Sequence, residues 1–271
     1  MLKLLVGLSL SAVAGAAFTG PAAGAKESAG AREAAGASHR GILPPRNPAA
    51  SLWPAPSFLA SCSPGDDGSP CNSLVLAALS HARQTLEKLG GMSFSLAGYE
   101  KLTPAEQLFV TVDLERTARG LPPTLVLSRS LDAIAQAGAQ AGRDPAIGDV
   151  RPLPGGGRPA YQGATWAGGW INPLGSDYGW MYDDGPGSTN QDCRSDGSGL
   201  CWGHRDIILV AFGSASCGGG ASELAMGAGH TTTAGGYGES DTEVLVGVCG
   251  PAPTDAVFTW TEAKKLLDIG A

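Results

Sequence analysis

TPAEQLFVTVDLERTARGLPPTLVLSRSLDAIAQAGAQAG, residues 103–142, encodes two helices and the bend between them. Thr103-Pro104-Ala105-Glu106 has the form of a capping box. The Thr hydroxyl accepts from the backbone three residues on, and the Glu carboxylate reaches back to the cap. Pro104 takes the first helical position, where no N–H is needed. The spacing predicts a helix to about Arg119 that stops at Gly120. Leu121-Pro122-Pro123 then holds the chain extended, because the residue before a proline is steered away from helical angles. Ser128 caps a second predicted helix over 131–141, with Leu131, Ile134 and Ala135 on one face.

Downstream, residues 144–163 read as loop and 173–182 as a third helix packed through Trp180 and Met181. Short β-prone runs follow at 207–212, 223–229, 243–249 and 257–261, between Gly-rich turns, and a short terminal helix or tail is expected at 264–269. Helices first and antiparallel strands later predict an α+β architecture. Upstream, residues 74–89 have helical apolar spacing up to Gly90-Gly91, and His81 reads as an exposed or hydrogen-bonded helix residue.

The first 25 residues read as a secretory signal. Lys3 supplies the charge, residues 4–18 are apolar but too short to span a bilayer, and Ala23-Gly24-Ala25 offers a cleavage site. An uncleaved anchor is the other reading. Residues 26–60, rich in Ala, Gly, Ser and Pro, are expected to be a disordered linker. Residues 61–102 form a helical extension and 103–271 the main domain. Six cysteines fit export. They allow fifteen connectivities, and proximity favours Cys62–Cys71, Cys193–Cys201 and Cys217–Cys249. With a net charge of −7 the chain is no general nucleic-acid binder.

WMYDDGPGSTNQDCRSDGSGLCWGHRDIIL, residues 180–209, gathers the candidate site. His204 is its titratable group, a candidate general base or partial metal ligand, and a strand-capping imidazole is the structural alternative. Asp183 is the acid paired with it. Asp184 fits an Asx-type turn before Gly185-Pro186, and Arg205 is expected to be structural, pairing with a carboxylate such as Glu115 or Asp206. The acidic loop 192–196 lacks the ligand spacing of an EF-hand. Trp166, Trp170, Trp180 and Trp202 supply core, or an aromatic groove for glycan or lipid. His230 reads as a solvated loop residue. Ser222 with His204 and Asp183 makes a poor triad, since no Gly-x-Ser-x-Gly elbow is present, and no P-loop or dinucleotide fingerprint occurs.

In order and rough spacing, residues 103–262 resemble the CAP superfamily: cysteine-rich secretory, antigen 5 and pathogenesis-related proteins, in its secreted bacterial form. The residues that carry the resemblance are Glu115-Arg116-Thr117-Ala118-Arg119-Gly120-Leu121-Pro122-Pro123, the Ala-rich LDAIAQAGAQAG, Trp180, and Gly203-His204-Arg205-Asp206-Ile207-Ile208-Leu209. The resemblance implies a three-layer α-β-α sandwich with a mostly antiparallel sheet, long Gly-rich loops and a large cleft. In many members two His and two acids converge there and can hold a divalent metal. His204 matches the second His and Asp183 the second acid. Gly163-Ala164-Thr165 stands where a Gly-Glu-Asn string would put the first acid, and the loop at 144–160 holds no His. The site is therefore half present, and zinc on His204 and Asp183 would be weak, because protein zinc sites use three or four ligands. The expected function is a secreted, disulfide-stabilised binding or interaction module for a lipid, a cell-wall glycan or a protein, without robust catalysis. The alternative is a secreted hydrolase or metal-dependent enzyme using His204 with Asp183.

Overall fold

The capping box forms as read. Thr103 Oγ1 accepts from Glu106 N at 3.3 Å, and the Glu106 carboxylate accepts from Thr103 N at 2.8 Å. The computed structural model describes residues 43–148, 150, 152–190, 193 and 201–270, all of one compact unit. The signal segment falls outside the described residues. The helices are α1 Ser69–Ala82, α2 Leu96–Tyr99, α3 Pro104–Ala118, α4 Arg129–Ala141, α5 Pro173–Tyr182, α6 Gly203–Ile208 and α7 Trp260–Leu266. The strands are β1 Val126–Ser128, β2 Arg158–Gly168, β3 Ser222–Thr231, β4 Ser240–Cys249 and β5 Ala256–Thr259. They make one sheet in the order β2-β4-β3-β1-β5. Every pairing is antiparallel except β1 with β3. The architecture is α+β, with a mostly antiparallel sheet.

Side-chain alternation along the strands sorts two cores. Leu224, Met226 and Ala228 of β3 and Leu245 of β4 join the larger core with residues of α1, α3, α5 and α6. Ala225 of β3 and Val244, Val246 and Val248 of β4 join Leu131 and Ala135 of α4. Glycine lets α4 approach closely: a Cβ on Gly227 would stand 2.2 Å from the Leu131 carbonyl carbon, and one on Gly229 2.4 Å from that of Ala135. Three disulfides close Cys62–Cys71, Cys193–Cys201 and Cys217–Cys249, the pairs nearest along the chain. No described helix is long and apolar enough to cross a membrane.

Several expectations are corrected. Residues 43–60 are not a free linker. Leu52 N donates to Tyr182 O at 2.9 Å, the Tyr178 hydroxyl donates to Leu52 O at 2.7 Å, and Phe58 is fully buried against Trp170 and Tyr178. Their apolar side chains, sparse along the chain, find a surface already built by α5. The helix expected to end at Gly90 ends earlier: after α1 a wider turn spans Arg83–Glu87, and Lys88 closes it in the left-handed region at φ 59°. Residues 158–163, read as loop, begin β2, whose partner is β4 eighty residues on. Residues 207–212 do not form a strand; Ile207 and Ile208 end α6. Long-range contacts override the β-propensity of Ile-Ile there. Trp202 N donates to Asp184 O at 2.8 Å, and the Asp184 carboxylate accepts from His204 N at 3.0 Å in the first turn.

The Gly227 contact gives a stability prediction. Gly227→Ala places a methyl against backbone that cannot move independently of α4, so overpacking costs at least about 1–3 kcal/mol. Chemical denaturation should show that loss. Wild-type stability in Gly227→Ala would mean α4 is not seated as described.

Candidate functional site

α5 is capped by Asn172, whose side chain accepts from Gly175 N at 3.0 Å, with Pro173 opening the helix. Every residue of α5 is buried. Asp183 and Asp184 follow directly, so both are fixed by the helix end rather than by a mobile turn. Opposite them stands the start of α6. Asp184 is the organising acid. It accepts from His204 N at 3.0 Å and Arg205 N at 3.3 Å, from Asn190 Nδ2 at 2.6 Å, and faces His204 Nδ1 at 2.7 Å. Because a carboxylate only accepts, Nδ1 carries the proton. When the ring is neutral, Nε2 is then its acceptor.

Asp183 serves differently. Its Oδ2 accepts from Thr189 N at 3.3 Å and Thr189 Oγ1 at 2.6 Å. It lines the same cleft as His204, but the acid on the imidazole is its neighbour. The reading that gave Asp184 only a turn missed this, since His204 lies twenty residues away and nothing local marks the pair. Arg205 does pair with a carboxylate, but not with either of the two named. It binds Glu87 and donates to Met181 O at 2.8 Å, rather than meeting Glu115 or Asp206. His230 sits in β3, not in a solvated loop, and its Nδ1 lies 2.9 Å from Asp241.

The cleft holds about 290 Å³. Trp166, Trp170, Trp180 and Tyr237 supply its aromatic lining; Asp144, Asp183, Asp184, Thr189, Asn190 and His204 supply its polar one. Trp166 and Tyr237 meet edge to face, with centroids 5.1 Å apart. The fourth tryptophan of the expected cluster, Trp202, is buried and carries Arg205 near its ring. The indole Nε1 of Trp180 is buried without a hydrogen-bond partner among the described residues.

Several acids are fully buried in the fold. Glu243 and Asp177 are fully buried, and their carboxyl oxygens find no hydrogen-bond partner among the described residues. Burial pushes Glu243 up to about 8, against the charges of His204 and Arg116. Burial, then Glu115 and Glu243, holds Asp177 well above the usual carboxylate range. Asp113 accepts from Thr124 N at 2.6 Å and Thr124 Oγ1 at 2.8 Å, yet burial raises it to about 8. Burial pulls His204 down, but the Asp184 hydrogen bond and charge, with Asp144 and Glu243, outweigh it, so the imidazole stays protonated above its ordinary 6.5. Burial likewise raises Asp183. Among the described residues His204 and Asp183 belong to no group of three potential metal ligands within 4.8 Å of one another. Zinc on them would have two donors where three or four are usual.

A pH profile follows. Asp113 and Glu243 titrate near 8 in the fold and near 4 when unfolded. Between those values the folded chain holds protons that the unfolded chain has released, so stability falls as pH rises. His204 acts in the same sense: its stabilisation is complete below about 6.5 and is lost as pH climbs through its raised folded value. The melting temperature should drop between pH 5.5 and pH 9, less steeply in Glu243→Gln. A flat or rising wild-type profile would contradict these assignments.

Comparison with protein-family models, with curated proteins and with solved structures finds no match for this chain.

Proposed function

We propose that this chain is a secreted CAP-like domain, an α-β-α sandwich, that binds a cell-wall glycan in the cleft at His204. The observation that carries this reading is the lining: four aromatic side chains share one small cleft with a row of carboxylates, an amide and a hydroxyl. Sugar rings present apolar C–H faces that stack on aromatics and hydroxyls that donate to carboxylates. Trp180 Nε1 adds a donor that lacks an internal partner among the described residues. A volume of about 290 Å³ lies at the small end for a ligand pocket and suits one or two rings. Support for the CAP reading comes from element order and from the helices of the two cores, α4 on one side of the sheet and α3, α5 and α6 on the other. Asp144 lies in the loop where the family's first His falls and lines the cleft. The three disulfides suit an oxidising, extracellular setting.

A second reading rests on the His204–Asp184 pair. An imidazole oriented by a buried carboxylate, with no hydrogen bond to its other nitrogen among the described residues, is equipped for acid–base chemistry. No Ser or Cys side chain forms a hydrogen bond to His204 among the described residues. A hydrolase here would activate water, with or without a weakly held divalent metal.

The test uses a soluble N-acetylglucosamine–N-acetylmuramic acid fragment of peptidoglycan, followed by tryptophan fluorescence. Wild type should bind saturably, and Tyr237→Ala, which removes an aromatic wall that is 43% exposed, should weaken binding about tenfold, or roughly 1.4 kcal/mol. His204→Gln should bind with little loss. No saturable binding by wild type would sink the glycan reading. Turnover of the fragment that disappears in His204→Gln would establish the hydrolase instead.

A further inference from the structure

We propose a second site, separate from the cleft: a divalent transition-metal ion, with zinc as its representative, held by His230, Glu239 and Asp241. His230 is the last residue but one of β3, Asp241 is the second residue of β4 and lies directly across the ladder from it, and Glu239 precedes β4. One ligand atom from each lies within 4.8 Å of the others. His230 Nδ1 stands 2.9 Å from Asp241 Oδ1 and 3.2 Å from Glu239 Oε1. Metal bonds of about 2.1 Å separate ligand atoms by about 3.0 Å at octahedral angles and about 3.4 Å at tetrahedral ones. An ion replacing the Nδ1 proton would therefore need little movement.

Two further facts point to an ion. Glu239 is fully buried, and neither carboxyl oxygen makes a hydrogen bond among the described residues. One Nδ1–H can serve one acceptor well, and Asp241 already has it at 2.9 Å. The cluster also holds no cation besides the imidazole: two buried carboxyl groups face His230, and among the described residues no Lys or Arg forms an ion pair with either. Buried charge of this kind is costly unless paired or metal-bound. Asp241 is held ready by Ser176, whose hydroxyl donates to Oδ2 at 2.6 Å and leaves Oδ1 facing His230. The nitrogen donor favours zinc or its transition-series neighbours over calcium or magnesium. His230, with 18% of its side chain exposed, gives entry and room for water ligands.

Such an ion would tie the β3–β4 hairpin to the cleft. The hairpin loop carries Tyr237, and Glu239 O accepts from Gly169 N at 2.9 Å, between cleft residues Gly168 and Trp170. The ion would act structurally, by fixing the aromatic wall.

The experiment is a calorimetric titration of tag-free, chelator-treated full chain with zinc chloride. We expect one zinc per chain, kept in His204→Ala and weakened at least tenfold in Glu239→Gln. Imidazole nitrogen chemical shifts of the wild type read the same point with no variant: Nδ1 of His230 should move on zinc addition. If Glu239→Gln fails to fold, that measurement decides. No saturable binding by wild type overturns the site. So does binding that survives Glu239→Gln but is lost in His204→Ala, or a shift confined to His204, since the ion would then occupy the cleft.

Discussion

Glu87 is the anchor on which the site depends. It sits at the end of the wide turn after α1 and binds two arginines at once, Arg119 and Arg205. Arg119 also binds Glu115 one turn back on α3 and donates to the Tyr182 hydroxyl at 2.9 Å. Arg205 carries the link into α6 and, through Met181 O, back to the end of α5. Four helices thus meet around one carboxylate. All these groups are nearly or wholly buried, so each charge depends on its partners. Removing one member of such a chain typically costs about 3–5 kcal/mol, because the remaining charge is stranded. His204 is the residue before Arg205. The imidazole is therefore aimed by a residue 117 positions upstream in sequence, through the helix that Arg205 pins.

The same dependence explains what could be read from the chain and what could not. The Thr103 box, the Pro173 helix and the pairing of neighbouring cysteines were legible because each is decided within about ten residues, or by proximity alone. The helix at Gly203–Ile208 was not. Its Ile-Ile-Leu run favours a strand on local grounds, and only the distant Asp184 and Glu87 make it a helix. The early part of β2 was hidden for a related reason: RPAYQG has little strand character until β4 lies beside it. That Arg205 would pair with a carboxylate was legible, but which one was not, because a fully buried guanidinium meets whichever carboxylate the fold brings to it.

The pair of acids after Trp180 shows how fine that limit is. Asp183 and Asp184 are chemically identical and adjacent, and family resemblance pointed to the first. The helix end decides otherwise. Asp183 turns to Thr189 and Asp184 to the first turn of α6, so the acid that binds backbone N–H groups also holds the imidazole. That arrangement gives Asp184 two tasks: losing it would uncap α6 and release His204 at once.

The cleft and the hairpin cluster have a common origin in the sheet. His230, Asp241 and Glu243 project from the same face as Leu245, where an ordinary strand would place apolar side chains. Polar groups there cost stability unless each is paired or protonated. Glu243 is accommodated by protonation, and Asp241 by Ser176 and His230. Burial raises Glu239 to about 8 as well, and among the described residues its carboxyl has no ion-pair partner other than His230. A core that needed only stability would replace these groups with valine or leucine. Their joint presence beside an aromatic cleft, on the hairpin that supplies Tyr237 to its wall, is not what packing alone would select.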